Sequence, residues 1–253
     1  MGKFDGYLIC TDFDGTFAAA GQPVEKNLEA VRYFTENGGR FTVATGRLVE
    51  FIRERGLQNI INAPACLCNG SLIYDYATET VLRQVRMEIT AGEVLEALRE
   101  KAHRIRVFYV APRYDQATVA YEDLNAISNE HLQMSHLKVC CRFETPEEAE
   151  EVRDFALSRP ELASCYICRS WHTLLEFNAC NATKGHAVDH IRKYLGNIHT
   201  AIGVGDYEND LTMLRHADIA ATPANGLEIL KREADRILKP CREGAIKDLI
   251  ERL

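Results

Sequence analysis

Two carboxylates one residue apart, Asp12 and Asp14, close the apolar run Tyr7-Leu8-Ile9-Cys10 and are followed at once by Gly15. At this spacing they can divide labour. One serves as an ionised nucleophile beside a cation, while the other carries a proton to a leaving group and then takes one from water. A short apolar run bounded by a glycine turn reads as a buried parallel strand, and open α/β sheets gather their ligands at the carboxyl ends of strands. Asp12 and Asp14 are therefore expected to face a site. Asp-x-Asp-Gly also occurs as a plain turn or as part of a calcium loop. The calcium reading fails because Phe17-Ala18-Ala19-Ala20 brings no further oxygen ligands.

The elements that must hold these residues follow one rule. Glu25 to Asn37 has Leu28, Val31 and Phe34 at helical spacing and stops at Gly38-Gly39. Phe41-Thr42-Val43-Ala44 reads as a second buried strand ending in Thr45-Gly46-Arg47, followed by a helix through Arg55. Ala65 to Cys68 reads as a third strand, ending in Asn69-Gly70. From Ser71 the texture changes to a hairpin, 71–74 with 80–83. Next come a helix over 90–102, strands over 105–110 and 117–121, a helix over 122–132 and a strand over 137–143. A helix capped by Thr145 with Pro146 in its first turn runs to Ser158, and strands over 163–168 and 172–177 follow, with Trp171 and His172 read as packing residues. Beyond Asn178 the first texture returns. Thr183-Lys184-Gly185 opens a helix, and Ala201 to Val204 is a strand ending in Gly205-Asp206-Tyr207-Glu208-Asn209-Asp210. Further βα elements end in a helix from Gly244.

Composition narrows the class. The chain has 253 residues, 46% hydrophobic and 26% charged, with a net charge of −7, and no apolar run approaches the length of a membrane span. Residues 76–177 are themselves net acidic, the wrong sign for a phosphate-backbone groove, so a nucleic-acid partner is not expected. No signal-type segment opens the sequence, and a cytoplasmic setting with no membrane partner is expected. The nine cysteines are an odd number and are read as reduced thiols. Cys165 and Cys168 lie in a strand-like run that sends their sulfurs to opposite faces, against a zinc or redox pair.

Four motifs in order, Asp12-Phe13-Asp14-Gly15-Thr16, Thr45 in Thr45-Gly46-Arg47, Lys184 in Thr183-Lys184-Gly185, and Gly205-Asp206 with Asn209-Asp210, resemble those of the haloacid dehalogenase superfamily. The likeness spans the chain and is nearest to the Cof-type phosphatases of subclass IIB, whose cap lies between the second and third motifs. It implies Asp12 as nucleophile, Asp14 as general acid and base, and Thr45 and Lys184 as donors to the transferring phosphoryl oxygens. It implies Mg²⁺ held by Asp12, the carbonyl of Asp14 and Asp206, with Asp210 in the metal set or holding waters or Lys184. Gly46, Arg47, Asn69 and Asn209 join Thr45 and Lys184 as substrate-binding candidates. Taken singly, Thr45 also reads as a helix N-cap, Asn69-Gly70 as a turn, and Arg47 as a partner of a surface acid. The loop before Lys184 lacks the family's frequent proline, and Tyr207 stands where a small residue is common.

The expectation is thus an α/β protein with a Rossmann-like, mostly parallel sheet as its core (1–75 and 178–253). An α+β cap at 76–177 chooses the substrate. The expected function is Mg²⁺-dependent hydrolysis of a small phosphorylated metabolite through an aspartyl phosphate. A phosphomutase and a non-catalytic metabolite binder on the same fold are the alternatives.

Overall fold

The computed structural model describes residues 2–253 and divides them into two compact units, one running to Arg83 and resuming at Lys184–Leu253, the other Gln84–Thr183. The first unit is built on a five-stranded parallel sheet in the order Arg236–Leu238, Ile219–Pro223, Thr200–Val204, Tyr7–Thr11, Arg40–Val43. Its strands are buried on both faces, which is why they read as unbroken apolar runs. Tyr7–Thr11 lies between Thr200–Val204 and Arg40–Val43, so the chain leaves it in one direction and returns on its other side. The carboxyl end of this strand is a topological switch point, where the loops on either side diverge and leave a crevice.

Ala65–Leu67 meets the sheet edge through a parallel bridge between Ala44 and Cys66 and then turns into an antiparallel pairing with Leu72–Asp75. Thr80–Gln84 completes this small sheet. A two-residue hairpin pairing Ala18–Ala19 with Gln22–Pro23 follows the first loop; its strands are too short for alternation to show. The sequence places helix Glu25–Glu36 correctly but not all of its inner face. Val31 and Phe34 are buried as expected, Leu28 is half-buried, and the third buried position is Asn27. Its carboxamide donates to the Phe17 carbonyl at 3.0 Å and accepts from the backbone N–H groups of Ile246 and Lys247 at 3.1 and 3.2 Å. The final helical stretch, Cys241–Glu251, is broken at Gly244, which has φ +93°, so a short turn from Cys241 precedes the helix that the sequence starts there.

The second unit has its own antiparallel sheet, ordered Cys165–Trp171, Leu174–Ala179, Lys138–Arg142, Val107–Ala111, Val119–Tyr121. Val139, Cys141, Leu175, Phe177 and Phe108 form one apolar cluster with Val94 of helix Ala91–Ala97 and Val152 of helix Pro146–Leu157. Thr145 caps the latter by accepting from the Glu148 N–H, and Thr90 and Glu93 form a reciprocal capping box on the former. Two helices are shorter than expected. The span 90–102 becomes an α-helix to Ala97 and a 3₁₀ segment, Arg99–Arg104, with no buried residue to hold a wider helix on the sheet. The span 122–132 breaks into a 3₁₀ turn, Leu124–Ala126, and a short helix, Asn129–Gln133, because the Asp123 and Ser128 side chains each cap a separate start. Trp171 is not a core residue: it is 49% exposed at the end of its strand, its ring 5.1 Å from that of exposed His172. All nine cysteines are free thiols.

Replacing Asn27 by leucine removes three hydrogen bonds and takes the carboxamide acceptor from the Ile246 and Lys247 N–H groups, while the Phe17 carbonyl keeps the Val24 N–H. A loss of about 2–5 kcal/mol in unfolding free energy is expected, measured as a lower urea midpoint at unchanged slope. A loss below about 1 kcal/mol would show that water replaces the carboxamide.

Candidate active site

Asp12 follows directly on Tyr7–Thr11, and its backbone N–H continues the ladder by donating to the Val204 carbonyl at 2.7 Å. The aspartate is 7% exposed, and its Oδ1 accepts from Lys184 Nζ at 2.6 Å. Lys184, the first residue of helix Lys184–Leu195, is fully buried and donates equally to Asp210 Oδ1 at 2.6 Å. Burial works against the ammonium, but the Asp12 and Asp210 carboxylates outweigh it and hold its pKa above the ordinary lysine value.

Asp210 has no exposed surface, and both its oxygens are engaged. Oδ1 takes Lys184, and Oδ2 accepts from the backbone N–H groups of Asp206 and Tyr207 at 2.9 and 3.1 Å. It brackets the loop after Thr200–Val204 and anchors the lysine. Asp206 Oδ1 accepts from the Thr16 hydroxyl at 2.7 Å. Its Oδ2 lies so near Gly15 that a Cβ there would come within 2.3 Å, and Gly15 has φ +90°, so glycine is required on both counts.

Asp12, Asp206 and Asp210 each present an oxygen within 4.8 Å of the others. One ammonium faces three carboxylates, so the cluster lacks positive charge. Burial, followed by the opposed effects of Lys184 and the neighbouring aspartates, raises the Asp12 pKa well above the usual carboxylate range. Burial and then Asp210 push Asp206 up to about 7. An oxygen-only donor set short of positive charge fits a hard divalent cation. Asp210, with both oxygens held by the chain, fits the role of lysine anchor better than that of direct ligand.

Asp14 stands apart from this cluster. Its side chain is a third exposed and accepts from Arg47 Nε at 3.1 Å, and the Arg47 guanidinium lies 4.5 Å from the centre of the Phe51 ring. Arg47 thus pairs with an acid, and that acid is the second aspartate of the first motif. Thr45 is 2% exposed, its backbone N–H donating to the Cys66 carbonyl at 2.9 Å and its hydroxyl accepting from the Arg47 N–H at 3.2 Å. It is not a helix cap, since Val49–Glu54 begins after Leu48. Gly46 is half-buried between them. Asn69 is wholly buried and accepts at Oδ1 from Asn209 Nδ2 at 3.1 Å. Cys68 and Asn69 both take left-handed backbone, φ +48° and +56°, which costs about 1–2 kcal/mol for a residue bearing a Cβ. The thiols nearby are inert: burial pushes Cys66 up to about 12 and raises Cys10 further.

Two supporting residues had no assigned role in the sequence. Thr16 orients Asp206, and Asn225 donates to the Gly15 carbonyl at 2.9 Å while accepting from the Cys241 N–H at 2.7 Å. Asn225 follows the Ile219–Pro223 strand, so its place at another strand's carboxyl end was the available signal.

The parallel sheet gathers a lysine-bridged aspartate cluster at its switch point, and the comparisons with known proteins give the class of protein. The family profile of haloacid dehalogenase-like hydrolases matches residues 9–250, and the chain belongs to that family. It is 24% identical over 253 residues to the pyridoxal phosphate phosphatase YbhA of Escherichia coli, covering 91% of this chain and 92% of that one. It is 25% identical over 232 residues to the 5-amino-6-(5-phospho-D-ribitylamino)uracil phosphatase YcsE of Bacillus subtilis, covering 91% and 88%. Among solved structures, the subclass IIB sugar phosphatase BT4131 shares the fold with a TM-score of 0.77 at 21% identity, over 97% of this chain and 98% of that one.

Lys184→Met strands two buried carboxylates without their counter-ion. Stability at neutral pH is expected to fall by about 3–5 kcal/mol in chelator, read from denaturant unfolding. An unchanged midpoint would mean that the aspartates need no lysine to stay folded.

Proposed function

We propose that this chain is a Mg²⁺-dependent phosphatase that hydrolyses a small phosphorylated metabolite through an aspartyl phosphate on Asp12. The observation that carries the reading is Lys184, buried between Asp12 and Asp210 with Asp206 beside them, at the one strand end where the sheet order reverses. A phosphate monoester and a carboxylate nucleophile repel each other, so the site must neutralise charge before they can meet. Asp12, Asp206 and the carbonyl of Asp14 would hold Mg²⁺, which when bound supplies that neutralisation.

The chain's own groups do the rest. An Asp12 oxygen attacks phosphorus, a P–O bond to the carboxylate forms, and the ester P–O bond breaks. Lys184 and the Thr45 hydroxyl donate to the phosphoryl oxygens as it transfers. Asp14 gives its proton to the leaving alkoxide, then takes one from the water that cleaves the acyl phosphate, so inorganic phosphate leaves and Asp12 and Asp14 are restored. Asp14 is held by Arg47 at 3.1 Å, so the pair must open for Asp14 to reach the leaving group. We assign Arg47, once released, to receive substrate oxygens, together with Gly46 on the same loop and Asn209 on the loop after Thr200–Val204. Substrate choice is assigned to the unit Gln84–Thr183. The relatives named above act on pyridoxal phosphate and on a phosphorylated ribitylaminouracil, which supports a small phosphate monoester as substrate class.

Purified protein screened against phosphorylated metabolites is expected to release phosphate with Mg²⁺, to lose activity in excess chelator, and to be poorly active with Ca²⁺, whose looser coordination disturbs in-line transfer. Turnover undiminished by chelator would sink the metal requirement, and an isomerised phosphorylated product would make the enzyme a mutase.

Asp12 and Asp14 are separable by trapping. With an aryl phosphate, whose leaving group needs little protonation, acid-quenched Asp14→Asn is expected to carry an added phosphoryl mass on Asp12. Its turnover should fall by roughly 10²–10⁴-fold. Asp12→Asn is expected to carry none, and phosphate bound covalently to that variant would overturn the nucleophile.

A further inference from the structure

Asn69 joins two loops that belong to different strands. Its backbone N–H donates to the Thr45 carbonyl at 3.0 Å, and the N–H of Cys68 beside it donates to the Arg47 carbonyl at 3.0 Å. Its side chain reaches the other way and accepts from Asn209 Nδ2 at 3.1 Å, with Asn69 fully buried and Asn209 4% exposed. Asn209 adjoins Asp210, which holds Lys184. The Thr45 loop follows the strand on one side of Tyr7–Thr11, and the Asn209 loop follows the strand on the other. The Thr45 loop also bonds to Ala65–Leu67 through the Thr45 N–H and the Cys66 carbonyl, and the Asn209 loop to Ile219–Pro223 through the Gly205 N–H and the Ala221 carbonyl, while the Asn69–Asn209 bond joins the two loops directly.

We propose that Asn69 is a positioning residue. By tying these loops together it sets the separation between the Thr45 hydroxyl and the Lys184 ammonium, the two donors to the transferring phosphoryl group. The inference rests on the phosphatase reading and deepens it. Phosphoryl transfer depends on placement of charge more than on covalent help, so a donor pair drawn from loops on two different strands gains from a direct tie between them. The position also explains the residue type. It must adopt left-handed backbone and offer a buried neutral acceptor; asparagine does both, glycine only the first, and aspartate would add a fourth carboxylate to a site already short of positive charge.

The test uses Asn69→Gly, which keeps the turn and the bond to Thr45 and deletes only the carboxamide, beside Asn209→Ala and the double variant. By hydrogen exchange, amides of 205–211 are expected to exchange about 3- to 10-fold faster in Asn69→Gly, with those of 44–47 unchanged. With an aryl phosphate, kcat is expected to fall by about the same factor while KM stays within about twofold. The double variant should be no slower than Asn209→Ala, since the two residues act as one. Unchanged exchange over 205–211 would overturn the tie. Losses that multiply in the double variant, with a raised KM, would make Asn69 a substrate contact instead. If the wild type hydrolyses no phosphomonoester at all, the phosphatase reading falls, and the exchange measurement still decides whether Asn69 places the Asn209 loop.

Discussion

Taking the Lys184 ammonium out of water costs several kcal/mol, and only the two carboxylates at 2.6 Å repay it. That constraint orders the rest of the first unit. Asp12 must sit at the end of Tyr7–Thr11, Asp210 must lie in the loop after its neighbour Thr200–Val204, and helix Lys184–Leu195 must bring its first residue to both. Because a third carboxylate, Asp206, shares the cluster, the ion pair leaves a charge deficit in place. The protein alone would be more stable with fewer acids there. The excess makes physical sense as a binding function, since an oxygen-lined, electron-rich pocket is what a hard cation requires.

The surrounding residues serve to hold the aspartates rather than to react. Thr16 fixes Asp206, Gly15 leaves room for it, and Asn225 pins the Gly15 carbonyl to the start of the final helix through Cys241. Asn27 joins that same helix to the Phe17 loop. Three short polar side chains, Thr16, Asn225 and Asn27, thus connect the first loop to segments 190 or more residues away in sequence.

In the second unit the sheet divides its duties by face. Residues that alternate inward, such as Val139, Leu175 and Phe177, pack with the two helices, while Lys138 and Glu176 on the opposite face form a buried ion pair at 2.7 Å with Ser170 bonded to the same glutamate. A pair of this kind contributes little net stability but fixes register, because a one-residue slip would leave both charges unpaired.

The parallel sheet, the three strand-end motifs with the helix-start motif of Lys184, and the antiparallel segment inserted among them were legible in the sequence, because buried strands, glycine stops and Thr-Pro helix starts are local signals. The family resemblance drew on the same local words. The missed features are nonlocal. Whether Asn27 or Leu28 turns inward depends on where the final helix comes to rest, and the length of the helix after Thr90 depends on how much of it finds a sheet to cover. For the site, the sequence by itself determined which residue types stand at the strand ends, since a carboxylate, a hydroxyl and an amine in that order are written in the chain. Only the tertiary structure decided their partners: Lys184 with Asp12 and Asp210, Asp14 with Arg47, Asn69 with Asn209. Those pairings join residues 26 to 172 positions apart, and they are chosen by strand order and burial, which bring charges together at distances that no spacing along the chain encodes.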